Sequence, residues 1–227
     1  MDAELEASAQ VGCFRADFDA GDRQRSVGGR LSQWLADING DGRADYIYNP
    51  KHSHEYRVQL ARQDLPYSNG VFMREAKAGE RNKQNDIGLA GGAEWMADVN
   101  GDGRADYVYN RNNRHEYWVM LGQADGTFAT DMNAGSRNAS NNVAWGGIAQ
   151  WIADMNGDGR ADYVYSRDRR PEYWVMLGQA DGTFATDAYA GSRFTDNGVA
   201  NSGWSQWMAD INGDGRADYV YNRAATK

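Results

Sequence analysis

Apolar and polar positions alternate in short runs along this chain, and the runs return in a fixed order. In "QWIAD" (Gln150–Asp154), "ADYVYS" (Ala161–Ser166), "EYWVMLG" (Glu172–Gly178) and "TFATD" (Thr183–Asp187) the period is two, and the runs hold about five residues each. Gly, Asp and Asn bound them. Aromatic and β-branched residues alternating between turn residues predict strands, and no stretch carries a helical period. The third run is apolar on both faces, with Tyr117, Val119 and Leu121 on one side and Trp118 and Met120 on the other in its earlier copy. That pattern belongs to a sheet covered by other sheets on both sides.

The order repeats. "QWLADINGDGRADYIYN" from Gln33, "EWMADVNGDGRADYVYN" from Glu94 and "QWMADINGDGRADYVYN" from Gln206 are near copies of the segment from Gln150, and "EYWVMLGQADGTFATD" stands unchanged at Glu116–Asp131 and Glu172–Asp187. Asp37, Asp98, Asp154 and Asp210 are separated by 61, 56 and 56 residues. A period of that length means a propeller or a similar array. The expected fold is all-β: one β-propeller domain over residues 1–227, of four-stranded antiparallel blades. Four blades are expected, at about 33–78, 94–134, 150–190, and 206–227 plus 1–20. In the last, "AELEASAQVGCFRADFDAGDR" aligns with "YWVMLGQADGTFATDMNAGSR", so N-terminal strands would complete the C-terminal blade and remove exposed sheet edges. Leu5 and Ala7 match poorly there. An open array, or a part-ring completed by another copy, is the alternative.

Between the first two strands of every unit lies D-x-N-x-D-G-x-x-D. The chain's formal charge is −8, and twelve of its 32 acidic residues sit in these four turns. Four divalent cations would bring the charge to about zero. Oxygen donors in a tight loop, with six to eight places to fill, suit Ca²⁺, and the glycine after the third ligand permits the bend. The expected ligands, about one ion per turn and four per chain, are Asp37, Asn39, Asp41, Arg43 and Asp45; Asp98, Asn100, Asp102, Arg104 and Asp106; Asp154, Asn156, Asp158, Arg160 and Asp162; and Asp210, Asn212, Asp214, Arg216 and Asp218. Each arginine contributes its backbone carbonyl. The opening matches an EF-hand loop, but position twelve (Tyr165 in the third unit) is not the bidentate Glu. The plainer reading is an ion-free Asp/Asn/Gly turn, and Mg²⁺ is the lesser rival as the ion.

This motif, set between strands at a period near 56, resembles the FG-GAP or VCBS-type repeats of integrin α-subunit propellers. With Asn-Gly-Asp-Gly-Arg-Ala-Asp and the later "DGTF" turn it looks more like the fungal and bacterial lectins built as calcium-containing β-propellers. Those lectins usually have six or seven blades, whereas four are accounted for here. The resemblance implies sugars such as N-acetylglucosamine, and sometimes sialic acid, in shallow pockets between blades. The inter-blade segments then supply the ligand-binding candidates: Arg81, Arg137 and Arg193, the amides Asn142 and Asn201, and the indoles of Trp145 and Trp204. The arginines have an equal claim to a structural role, bonding carbonyls of the next blade. Trp34, Trp95, Trp151, Trp207, Trp118 and Trp174 read as blade-packing core.

Other classes lose ground. A net acidic chain lacks the clustered Lys and Arg that nucleic acid demands. No run is apolar for long enough to span a membrane as a helix. There is no G-x-S-x-G, no H-E-x-x-H and no Cys/His pairing, and the recurring acids belong to the metal motif, so an enzyme is not expected. His52, His54 and His115 fall in polar turns with no third metal ligand nearby. Cys13 is the single cysteine, which excludes an internal disulfide framework. The reading is a calcium-stabilised lectin whose partners are glycans or glycoproteins, with a homo-oligomer open. A non-catalytic adhesion scaffold of the integrin type is the alternative. "MDAELEASAQ" shows no signal peptide. The calcium motif suggests an extracellular setting, and a cytoplasmic one stays open.

Overall fold

The computed structural model describes residues 32–50, 53–63, 71–83, 93–110, 115–140, 150–166, 172–192 and 206–221. These form fourteen strands and no helix. The first sheet holds β1 (Gln33–Ala36), β2 (Asp45–Tyr48), β3 (Glu55–Gln59) and β4 (Ala76–Glu80). The second holds β5 (Glu94–Ala97), β6 (Asp106–Asn110), β7 (Glu116–Met120) and β8 (Met132–Ser136). The third holds β9 (Gln150–Ala153), β10 (Asp162–Ser166), β11 (Glu172–Met176) and β12 (Ala188–Ser192), and β13 (Gln206–Ala209) pairs with β14 (Asp218–Tyr221) in the fourth. Every sheet is an antiparallel meander in chain order. The first strands of successive sheets touch one another, β1 beside β5, β5 beside β9 and β9 beside β13. Sheets radiating from adjoining first strands make a β-propeller, as the repeat predicts. The N-terminal strands expected to complete the fourth blade lie outside the described residues.

The cores lie between sheets. One gathers Ile47, Tyr56 and Val58 of the first sheet with Tyr107, Tyr109 and Met120 of the second; the next gathers Val108, Tyr117 and Val119 with Tyr163, Tyr165 and Met176. Thus β7 is covered on both faces, Met120 and Trp118 toward the first sheet and Tyr117 and Val119 toward the third. The alternation is the cause: successive side chains enter different seams.

One expectation is corrected. "TFATD" is not the fourth strand; it makes only the isolated bridges Gly122↔Phe128 and Gly178↔Phe184. The strand is the following "MNAGS" or "AYAGS", which pairs with β7 or β11 through a bulge between Tyr117 and Trp118 or between Tyr173 and Trp174. The Phe backbone is engaged elsewhere. Phe128 N donates to Ala78 O, and Phe184 N to Ala134 O, each at 2.7 Å across a seam. Small side chains in the true strand, such as the fully buried Ala134, let the next blade approach this closely.

Candidate functional site

Two recurring places collect the chemistry. The first is the acidic turn. In the third blade Asp154 Oδ1 accepts from Gly157 N at 2.7 Å and Oδ2 from Gly159 N at 2.8 Å. Asn156 Oδ1 accepts from Asp158 N at 3.0 Å, and Asp158 Oδ1 from Arg160 N at 2.9 Å. Asp162 faces inward, taking Met155 N and Gly178 N on its two oxygens, both at 2.8 Å. Gly157 and Gly159 have φ of 79° and 82°, where a side chain would be strained. The same Asp-to-amide bonds recur from Asp37, Asp98 and Asp210.

The donor set suits a hard divalent cation in kind: carboxylates, an amide oxygen and a main-chain carbonyl. In the arrangement shown, however, the oxygens are turned to the loop's own N–H groups, and among the described residues no three acidic, imidazole or thiol groups converge as a metal cluster. The guanidinium groups of Arg43, Arg104 and Arg160 also lie against Asp41, Asp102 and Asp158. They hold the place of positive charge in these three turns. Burial pushes the Asp106 carboxyl up to about 7, against the bonds from Gly122 and Val99 and with help from Asp102 and Asp98. Asp162 is likewise pushed up to about 6 by burial. Carboxylates crowded at low dielectric are the electrostatic condition that a bound cation relieves.

The second place is the cleft between blades, where the end of one fourth strand meets the middle strands of the next sheet. Arg81, only 9% exposed, donates its backbone N to His54 O at 3.0 Å. Its Nε and Nη1 are buried and have no partner among the described residues. The next amide, Asn82 N, donates to Asp131 Oδ2 at 3.1 Å across the seam, and Tyr109 OH donates to the same oxygen at 2.5 Å. Trp118 lies directly opposite Tyr109 in the sheet, and its buried Nε1 is also unpartnered. Buried donors without acceptors are rare enough in folded proteins to need an account.

The second cleft repeats the plan with one difference. Arg137 N donates to His115 O at 3.1 Å, Asn138 N to Asp187 Oδ1 at 3.3 Å, and Tyr165 OH to Asp187. Trp174 Nε1 is again buried without a partner among the described residues. Arg137, by contrast, donates Nε to Tyr117 OH at 3.2 Å, and its guanidinium carbon lies 5.9 Å from the centre of the Tyr165 ring. Burial, then the positive charge of Arg137, pushes His115 below the usual histidine value. On the first sheet Arg57 and Glu75 occupy the places of Trp118 and Asp131, and there Arg57 pairs with Glu55 and Glu75.

Of the residues expected to bind ligand, the structure places Arg81 and Arg137 in these clefts. Asn142, Trp145, Arg193, Asn201 and Trp204 lie outside the described residues, as does His52. Trp118 and Trp174 pack against the seam cores as expected, but the sequence did not mark their indole N–H groups, or Asp131 and Asp187, as polar groups of these seams. The available signal was the unchanged copy Glu116–Asp131 and Glu172–Asp187, which holds an indole and a carboxylate at one spacing.

The fold and its seams define a β-propeller repeat protein. Residues 154–221 match the family model of FG-GAP-like repeats, and the acidic turn within that match recurs between the first two strands of all four sheets. No curated protein matches the sequence. Among solved structures the chain is similar to an Agrocybe aegerita lectin described as recognising non-reducing terminal N-acetylglucosamine, at 23% identity and TM-score 0.67 over 85% of this chain and 46% of that one. It is also similar to part of the Photorhabdus luminescens Tc holotoxin pore, at 18% identity and TM-score 0.55 over 83% of this chain and 8% of that one. At these identities the likeness is one of fold, and the chain spans less than half the length of the lectin.

Proposed function

We propose that the protein is a non-catalytic, multivalent lectin that takes N-acetylated sugars such as N-acetylglucosamine in the clefts between its blades. The observation that carries this reading is the pairing of unpartnered buried donors, on Arg81 and Trp118, with the Asp131 carboxylate across one seam. An acetamide or hydroxyl oxygen satisfies the donors. A carboxylate accepts from ring hydroxyls, and an indole covers the apolar face of a pyranose, which is the mixture that small-ligand pockets use. Repetition of the plan at Arg137, Trp174 and Asp187 supplies a second site, so a surface bearing many glycans is held by linkage of weak contacts.

Ca²⁺ at the acidic turns is part of the same proposal. Its support is the oxygen-rich donor set repeated four times and the Asp106 carboxyl, lifted first by burial and further by Asp102 and Asp98. An ion there fixes each hairpin, and calcium-replete extracellular fluid is the setting that suits it. The deciding experiment is a glycan array competed by free N-acetylglucosamine, with Arg81→Gln and Trp118→Phe beside the parent chain. Competable binding that weakens about tenfold in either variant is expected, the scale of a lost charged or indole hydrogen bond. Absence of glycan binding by the folded, calcium-loaded chain overturns the reading and leaves an adhesion scaffold.

A further inference from the structure

Each seam between consecutive sheets is built to one rule. The first-strand Trp of one sheet meets the first Tyr of the next sheet's second strand edge-on: Trp34 with Tyr107 at 5.6 Å, Trp95 with Tyr163 at 5.7 Å, and Trp151 with Tyr219 at 5.8 Å. The carbonyl after the first strand accepts from the Ala ahead of the next sheet's second strand: Asp37 from Ala105, Asp98 from Ala161, and Asp154 from Ala217, at 2.6–2.7 Å. An arginine of the later sheet covers a turn glycine of the earlier one. A Cβ built on Gly40, Gly101 or Gly157 would lie 3.0–3.3 Å from the Cγ of Arg104, Arg160 or Arg216.

The two outermost faces hold the unmatched halves of this rule. On the trailing side of the fourth sheet Trp207 is 51% exposed, and Ile211 is 70% exposed where its counterparts Ile38 and Val99 are fully buried. Gly213, the counterpart of Gly40, has nothing within 4 Å of a built Cβ. On the leading side of the first sheet Leu35, which pairs across the strand with Tyr46, is 67% exposed; its counterpart Met96 packs in the first seam. Tyr46, Ala44 and Arg43 stand where Tyr107, Ala105 and Arg104 stand in the second sheet. Among the described residues β1 and β13 do not touch.

We infer that these faces form a seam between two copies of this chain, the fourth sheet of one docking on the first sheet of the other. Trp207 then meets Tyr46 of the second copy, Asp210 O accepts from its Ala44 N, and its Arg43 covers Gly213. The geometry is head-to-tail, and two such seams related by a two-fold axis close a ring. Two copies are the smallest assembly in which both outer faces of each chain are covered. Exposed Trp, Ile and Leu gathered on complementary faces are what an interaction surface offers. This inference does not depend on what the clefts bind.

Sedimentation equilibrium of the full chain tests it, with Leu35→Asp on the leading face, Ile211→Asp on the trailing face, and circular dichroism to confirm folding. The parent is expected at twice the 25.2 kDa of one chain, and each variant alone at the single-chain mass. An equal mixture of the two variants is expected to regain the two-chain mass, because it restores one seam whose faces are both intact. A parent that stays at the single-chain mass up to high concentration overturns the inference, as it would if the chain's own residues covered both faces. A larger multiple overturns the two-copy ring. Failure of the mixture to recover overturns head-to-tail docking.

Discussion

The carbonyl of Asp37 accepts a hydrogen bond from Ala105 N at 2.6 Å, across the seam between the first and second sheets. The carboxylate of the same residue closes its own turn on Gly40 N and Gly42 N, each at 2.7 Å. One residue therefore sets both the hairpin and its junction with the next blade. Whatever steadies the turn steadies the seam.

With Ca²⁺ at the turns as proposed, removing it is expected to loosen the whole array. A ligand present at a hundred times its dissociation constant stabilises the folded state by about 2.7 kcal/mol per site. For a chain of this size each kcal/mol moves Tm by roughly 2–4 °C. Excess chelator is expected to lower Tm by at least about 5 °C, and added Ca²⁺ to restore it, as read by scanning calorimetry. A Tm unmoved by chelator refutes the cation at these turns.

The seams themselves can be probed at Gly122. A Cβ there would lie 2.5 Å from Ala105 O and 2.9 Å from Ile38 O, both main-chain atoms that cannot swing aside. Gly122→Ala is expected to destabilise by about 1–3 kcal/mol, the usual cost of overfilling a packed site. Gly178→Ala, facing Ala161 O and Val99 O at 2.6 and 2.8 Å, should behave alike. Urea denaturation measures both; a change within about 0.5 kcal/mol in either would contradict the close approach.

The first three strands of each complete blade were legible because alternation and turn residues agree with the tertiary fold. At the fourth strand they conflict. "TFATD" has the β-branched and aromatic character of a strand, yet Phe128 N bonds Ala78 O of the preceding blade, while "MNAGS" forms the sheet because Ala134 and Gly135 are small enough for the next blade's approach. Packing outweighed propensity, as it often does in sheets. In the clefts, the resemblance to propeller lectins marked Arg81 and Arg137 as candidates. Spacing could not mark Trp118, since a period of two puts an indole on a face without telling which of its atoms lacks a partner there.

The two clefts share a plan but not an arginine geometry, and this separates binding from stability. Arg137 donates to Tyr117 OH and sits by the Tyr165 ring, whereas Arg81 Nε and Nη1 have no partner among the described residues. Arg137→Gln is expected to cost about 1–2 kcal/mol of stability, the order of one charged hydrogen bond and a cation–π contact. Arg81→Gln should leave stability within about 0.5 kcal/mol and weaken sugar binding in the first cleft. Paired denaturation and titration calorimetry check this; equal stability losses in both variants would contradict the asymmetry.

The second cleft also has a defined response to acid. His115 is held below its ordinary value of 6.5, first by burial and then by the neighbouring Arg137 charge. The folded protein therefore favours the neutral imidazole more than the unfolded chain does. Between the ordinary and the lowered value the unfolded chain binds more protons, so stability rises with pH across that interval. The contribution is present above about 6.5 and is lost as pH falls through the folded-state value. Arg137→Gln removes the smaller cause, so the His115 midpoint is expected to move up part of the way and the acid-side loss to shrink with it. An NMR titration of the ring protons, assigned with His115→Asn, reads the midpoint directly. A midpoint at or above the ordinary value in the parent chain, or one that falls when Arg137 is replaced, would show that the imidazole does not sit in the positive, half-buried cleft described here.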